Sequence, residues 1–132
     1  MSLNRIMNRN IKKIAPTATI QDAARIMVLD KIGALLVENG GEFVGIITET
    51  DIVRKAAALG LDLKKELIEK IMSRPIIAME QTRTPQEAFD LMGDAGVRHL
   101  AIADRGRIVG FISVRDLLVH FKRQSEPQMG ID

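Results

Sequence analysis

Apolar and polar positions along this chain switch between two periods, and the same succession occurs twice. From Thr19 onward Ile20, Ala23, Ala24 and Met27 recur at helical spacing, behind a Thr that can cap a helix start. Two short apolar runs follow, Ala34–Val37 and Phe43–Ile47, separated by Glu38, Asn39, Gly40, Gly41 and Glu42. A polar, Gly-containing link between such runs predicts a β-hairpin. A helix over Asp51–Leu59 comes next, and a short extended piece at Lys12–Ile14 precedes the first helix. The second round gives an extended Ile76–Met79, then a helix behind Thr84 whose first turn suits Pro85. It continues with apolar runs Leu100–Ala103 and Ile108–Ile112 around Asp104–Arg107, and a helix over Asp116–Lys122.

The recurrence is a true internal repeat. A shift of 65 residues lays Ile6–Val53 on Ile71–Leu118 without a gap, and fifteen of those 48 pairs are identical. Each copy reads as a β-α-β-β-α unit, so the fold class is α/β (α+β), a tandem of two such units. One unit of about 55 residues would leave a sheet face bare and be marginal alone. The two sheets are therefore expected to pack face to face in one pseudo-two-fold module. The expected boundaries are 3–60 for the first copy and 61–124 for the second, with a flexible tail over 125–132. A linker helix is expected at about 60–70, because Leu61, Leu63, Leu67, Ile68 and Ile71 form an amphipathic set.

Composition removes several chemistries. The chain has 132 residues, and 19 Lys plus Arg against 17 Asp plus Glu leave a formal charge of +2. That balance gives little support to a nucleic-acid partner, and four Phe without Trp or Tyr leave little for base stacking. The absence of Cys excludes disulfides, thiolate metal sites and cysteine nucleophiles. No apolar run approaches a membrane span, so a cytoplasmic protein without a membrane partner is expected. His99 and His120 offer little for a metal site, and Gly40-Gly41 lacks the Lys-Ser/Thr of a phosphate loop. No hydroxyl residue sits in a nucleophile elbow. Neither a catalytic site nor an enzyme is expected. The methionines at 27, 72, 79 and 92 read as core filling.

The chemistry concentrates where each hairpin ends. Gly45-Ile-Ile-Thr48-Glu49-Thr50-Asp51 returns as Gly110-Phe-Ile-Ser113-Val114-Arg115-Asp116. Thr48 or Ser113 can be a plain N-cap with its acid complementing the helix dipole. Repeated at equal spacing, the motif also offers a hydroxyl and amides for phosphate and a carboxylate for the two hydroxyls of a ribose. A Gly inside a buried strand predicts close approach of a ligand or another backbone at Gly45 and Gly110, the alternative being a bulge that merely steers the strand.

These two motifs, with Met72-Ser73-Arg74-Pro75 opening the second copy, resemble a pair of CBS domains, the Bateman module. The resemblance covers about Leu3–Lys122 and implies a regulatory sensor of adenosine ligands such as AMP, ADP, ATP or S-adenosylmethionine, bound in clefts between the units. It implies that Asp51 and Asp116 hold ribose hydroxyls and that Thr48 and Ser113 contact phosphate. Ile11, Ile14, Ile76 and Ile77, with Ile46 and Phe111 nearby, would form the adenine slots. Arg98 and His99 occupy a position that the family often uses for basic phosphate contacts, and Arg115 adds a further cation to the second copy. No other cofactor is implied. Such pairs associate into dimers through their helices, so a homodimer is expected, with Ile20, Ala24, Met27, Ile52, Leu117 and Leu118 as its face, and an unidentified regulated protein is a further partner. The alternative is a nucleic-acid-binding or structural adaptor whose clefts stay empty.

Overall fold

Reciprocal hydrogen bonds fix all four helix starts. Thr19, Thr48, Thr84 and Ser113 each accept the backbone N–H three residues on, from Asp22, Asp51, Glu87 and Asp116. Those acids return the bond to the backbone N–H of the capping residue, so two orphan donors are satisfied at each start. A computed structural model describes residues 1–126. The four starts open α1 (Ile20–Asp30), α2 (Glu49–Asp51), α3 (Pro85–Ala95) and α4 (Val114–Ser125). After one turn α2 becomes a π-helical stretch, Ile52–Ala57, where the Ala58 N–H reaches back five residues to the Val53 carbonyl at 2.9 Å. The tail expected from residue 125 has its first residue inside α4, and its residues 127–132 lie outside the described ones.

The strands form two small sheets of identical topology. β1 (Lys13–Ile14) runs parallel to β2 (Ala34–Asn39), which pairs antiparallel with β3 (Glu42–Thr48). β4 (Ala78–Glu80), β5 (His99–Asp104) and β6 (Arg107–Ser113) repeat the pattern. Even the irregularity recurs, with the register slipping between Val37 and Glu38 and again between Ile102 and Ala103. Two α+β units are thus observed, as the repeat predicts.

Compactness divides the chain into Ile11–Ile77 and a second unit that joins Met1–Asn10 to the chain from Ala78 onward. The opening residues of each repeat therefore pack with the sheet of the other repeat. In the first unit Ile68, Ile71 and Met72 lie against a core built from Ile14, Ile20, Ala23, Met27, Leu35, Val37, Ile47 and Ala56. In the second unit Leu3 and Met7 are buried, and the backbone N–H groups of Leu3 and Asn4 donate to the Arg83 and Gln81 carbonyls. Phe89 and Phe121 meet edge to face, 5.6 Å between centroids, where the 65-residue shift leaves Ala24 and Ala56 in the first unit.

Two expectations need correction. Residues 60–70 do not form a helix: the chain leaves Gly60 with φ +72°, turns at Asp62, and has only a 3-10 turn, Ile68–Lys70. The carbonyls of Leu63 and Glu66 instead accept the N–H groups of Gln21 and Ile20 at the start of α1, so tertiary bonds take what a helix would have used. The proposed association face is also largely interior, since Ile20, Met27 and Leu117 are buried in their own units. The apolar residues that do face solvent include Val28 and Leu29 on α1, at 76% and 79% exposure, and Leu118 on α4 at 53%. Among the described residues no helix is long and apolar enough to cross a membrane.

Candidate functional site

In each unit the last residue of a hairpin is also the cap of a helix. β3 delivers Thr48 and β6 delivers Ser113, and the backbone N–H groups of Glu49 and Val114 donate to the Gly33 and Arg98 carbonyls just before the paired strand. The far edge of the hairpin is closed by one bridging residue. Ser73 exchanges both backbone bonds with Ile46 at 2.8 and 3.0 Å, and Asn8 does the same with Phe111 at 2.8 and 2.9 Å. The 65-residue shift makes Ser73 and Asn8 equivalent.

That edge explains the repeated glycine. A Cβ on Gly110 would lie 2.6 Å from Met7 Sδ and 3.2 Å from the Asn8 carbonyl oxygen. A Cβ on Gly45 would lie 2.9 Å from Met72 Sδ and 3.0 Å from the Ser73 carbonyl oxygen. Close approach occurs at both, and the approaching group is the bridging segment. The two methionines are lids on glycine.

The carboxylates of the two motifs differ sharply. Asp51 is only 4% exposed. Its Oδ2 accepts from the Thr48 N–H at 3.0 Å and from the Thr48 hydroxyl at 3.1 Å. Its Oδ1 accepts from the Ser73 hydroxyl at 2.8 Å and pairs with Lys55 Nζ at 2.9 Å. Lys55 also donates to the Ile71 carbonyl at 3.2 Å and the Ser73 hydroxyl at 3.0 Å, so its three N–H groups meet three acceptors. Asp116 is exposed, and Oδ2 accepts from the Ser113 N–H at 2.9 Å. Its Oδ1 has no protein donor among the described residues. Lys55 lies four residues after Asp51, an ion-pair spacing that the sequence itself carries, whereas Ser73 reaches the site only through the tertiary fold.

Around Asp116 the structure collects Ser113, His99 and Phe111. His99 and Phe111 are diagonal neighbours on β5 and β6 and stack with rings 19° apart and centroids 5.7 Å apart. Burial pushes the His99 pKa down from 6.5 to about 4; the Asp116 charge works against that shift and Arg98 adds to it. His99 is therefore neutral at pH 7. Arg98 and Arg115 are exposed. In the other unit Ile14 is part of the core, while Ile11, Ile46, Ile76 and Ile77 are half-buried.

The His99 shift carries a stability consequence. A folded-state pKa below the unfolded one means that unfolding takes up a proton between about pH 6.5 and pH 4, so stability falls as pH falls through that window. From pH 7 to pH 5 the loss from this group should be about 1–2 kcal/mol. Urea melts at the two pH values should show His99→Gln losing less than the wild type. Identical pH slopes would remove His99 as the cause.

Comparison with known proteins accords with this duplicated geometry. The sequence profile of the CBS domain matches residues 3–58 and 68–123. This chain belongs to the CBS-domain family. A relative, the uncharacterized protein MK0525 of Methanopyrus kandleri, is 33% identical over 120 residues, covering 89% of this chain and 61% of that protein. The chain thus spans under two-thirds of that relative's length. A solved protein with CBS domains from Burkholderia ambifaria MC40-6 superposes with a TM-score of 0.91 at 28% identity, covering 98% of this chain and all of the other. The CBS domain pair of protein MJ0100, solved in complex with 5′-methylthioadenosine and S-adenosyl-L-methionine, superposes with a TM-score of 0.85 at 25% identity, covering 95% and 98%. A pair of CBS domains is a regulatory ligand-binding module. The Thr48–Asp51 and Ser113–Asp116 junctions both lie within the matched ranges, the Asp51 carboxylate holding donors on both oxygens and the Asp116 carboxylate on Oδ2.

Proposed function

We propose that this CBS pair senses an adenosine-containing small molecule, of the class AMP, ADP, ATP or S-adenosylmethionine, and reports it through conformation or association. The observation that carries the reading is the exposed Asp116 carboxylate, whose Oδ1 has no protein donor among the described residues. It stands at a capped helix start beside Ser113 and the His99–Phe111 stack. A carboxylate so placed accepts the two hydroxyls of a ribose, and Ser113 with the first amides of α4 suits phosphate oxygens. The adenosine ligands held by the MJ0100 pair support the same class. Signalling requires two states with different ligand affinity. A homodimer formed over exposed apolar residues such as Val28, Leu29 and Leu118 would provide a movable interface.

Titration calorimetry with AMP, ATP and S-adenosylmethionine tests the reading. A charge-assisted hydrogen bond contributes roughly 1.5–3 kcal/mol, so Asp116→Ala should weaken binding on the order of tenfold to a hundredfold. Unchanged affinity in Asp116→Ala would sink the ribose role. Binding of a polynucleotide with a steep salt slope, and of none of these ligands, would favour the adaptor instead.

A further inference from the structure

The first CBS motif already has an occupant. We infer that Lys55 is an autoinhibitory group that fills the Asp51 carboxylate and closes it to a ribose, leaving Asp116 as the open ribose acceptor of the pair; the ligand class rests on the adenosine reading above. A ribose diol needs carboxylate lone pairs. At Asp51 both oxygens already accept two donors each, from Thr48 on one side and from Ser73 and Lys55 on the other. An incoming diol would have to displace a hydroxyl and an ammonium from Oδ1.

Displacement would also disturb the fold of that unit. Lys55 grips the Ile71 carbonyl and the Ser73 hydroxyl, and Ser73 is the residue that closes the edge of β3 through Ile46. Opening the motif therefore loosens the bridge that covers Gly45. Among the described residues the second copy carries no such clasp. His120 stands where Lys55 would be, and Asn8 stands where Ser73 would be. Asn8 Oδ1 accepts the N–H of Asn10 at 2.9 Å and turns to its own loop. Two substitutions at equivalent positions thus separate a closed motif from an open one.

Carbodiimide coupling of an amine to accessible carboxylates, read residue by residue in the mass spectrum of the folded chain, tests the clasp without any ligand. Asp116 should be modified on the order of tenfold faster than Asp51. Lys55→Met, or Lys55→Gln should the first variant fold poorly, should raise the Asp51 rate several-fold and leave the Asp116 rate unchanged. Equal rates at Asp51 and Asp116 in the wild type would overturn the inference, as would continued protection of Asp51 in both Lys55 variants. Calorimetry with S-adenosylmethionine and AMP adds the functional arm. One ligand per wild-type chain rising to two in Lys55→Met supports the clasp, and two per wild-type chain overturns it. If no adenosine ligand binds the wild type, the adenosine reading falls while the labelling rates still decide the clasp.

Discussion

Asp51→Ala is expected to lower the stability of the chain by about 3 kcal/mol, far more than Asp116→Ala. The substitution removes, at a buried position, the acceptor of the Thr48 N–H and of the Ser73 hydroxyl, and it unpairs the Lys55 ammonium. Lys55 is 46% exposed and regains water, which keeps the loss below that of a fully buried pair. Asp116→Ala removes one capping bond from an exposed carboxylate and should cost about 1 kcal/mol. Denaturant melts of the two variants measure the contrast. Equal losses would show that the internal bonds of Asp51 contribute nothing beyond helix capping.

Gly110→Val should be comparably damaging, at about 3 kcal/mol and a melting temperature lower by roughly 10 °C. The first added carbon already meets Met7 Sδ at 2.6 Å, and Met7 is buried, so its thioether has little room to retreat. The Asn8 carbonyl oxygen at 3.2 Å is backbone and holds a bond from the Phe111 N–H, which resists movement further. Shortening the lid in Gly110→Val/Met7→Ala should restore part of the loss, because residues in contact couple. A Gly110→Val chain with the wild-type melting temperature would show that the bridging segment yields freely. Because the bridged residue Phe111 lies on β6 two positions before Ser113 and stacks on His99, weaker adenosine-ligand affinity should accompany the lost stability.

The parts of the fold that depend on near neighbours were legible in the sequence. Thr48 with Asp51 and Ser113 with Asp116 announce their caps by a three-residue spacing, and Gly40-Gly41 with flanking apolar runs announces a hairpin. The parts decided by distant residues were not. Leu61, Leu63 and Leu67 satisfy a helical pattern, yet the Leu63 and Glu66 carbonyls serve α1, and only the fold reveals that competition. The π-helical stretch after Asp51 has no composition signal of its own. At the site, the motif residues could be named but their state could not. Asp51 and Asp116 look alike in sequence, and Ser73, 22 positions away, makes one of them a structural anchor. His99 reads as a basic residue until burial beside Phe111 removes its charge.

The exchange of opening segments between the repeats has a bearing on how such a chain can change over generations. Here the lid over Gly110 is Met7, near the opposite end of the chain, whereas the lid over Gly45 is Met72, a short way downstream. Loss of the first copy would strip the second sheet of Leu3, Met7 and Asn8 and uncover the strand that carries Phe111. Selection on the open motif therefore extends to the first ten residues, and substitutions at Gly110 should find their compensation there before they find it among sequence neighbours.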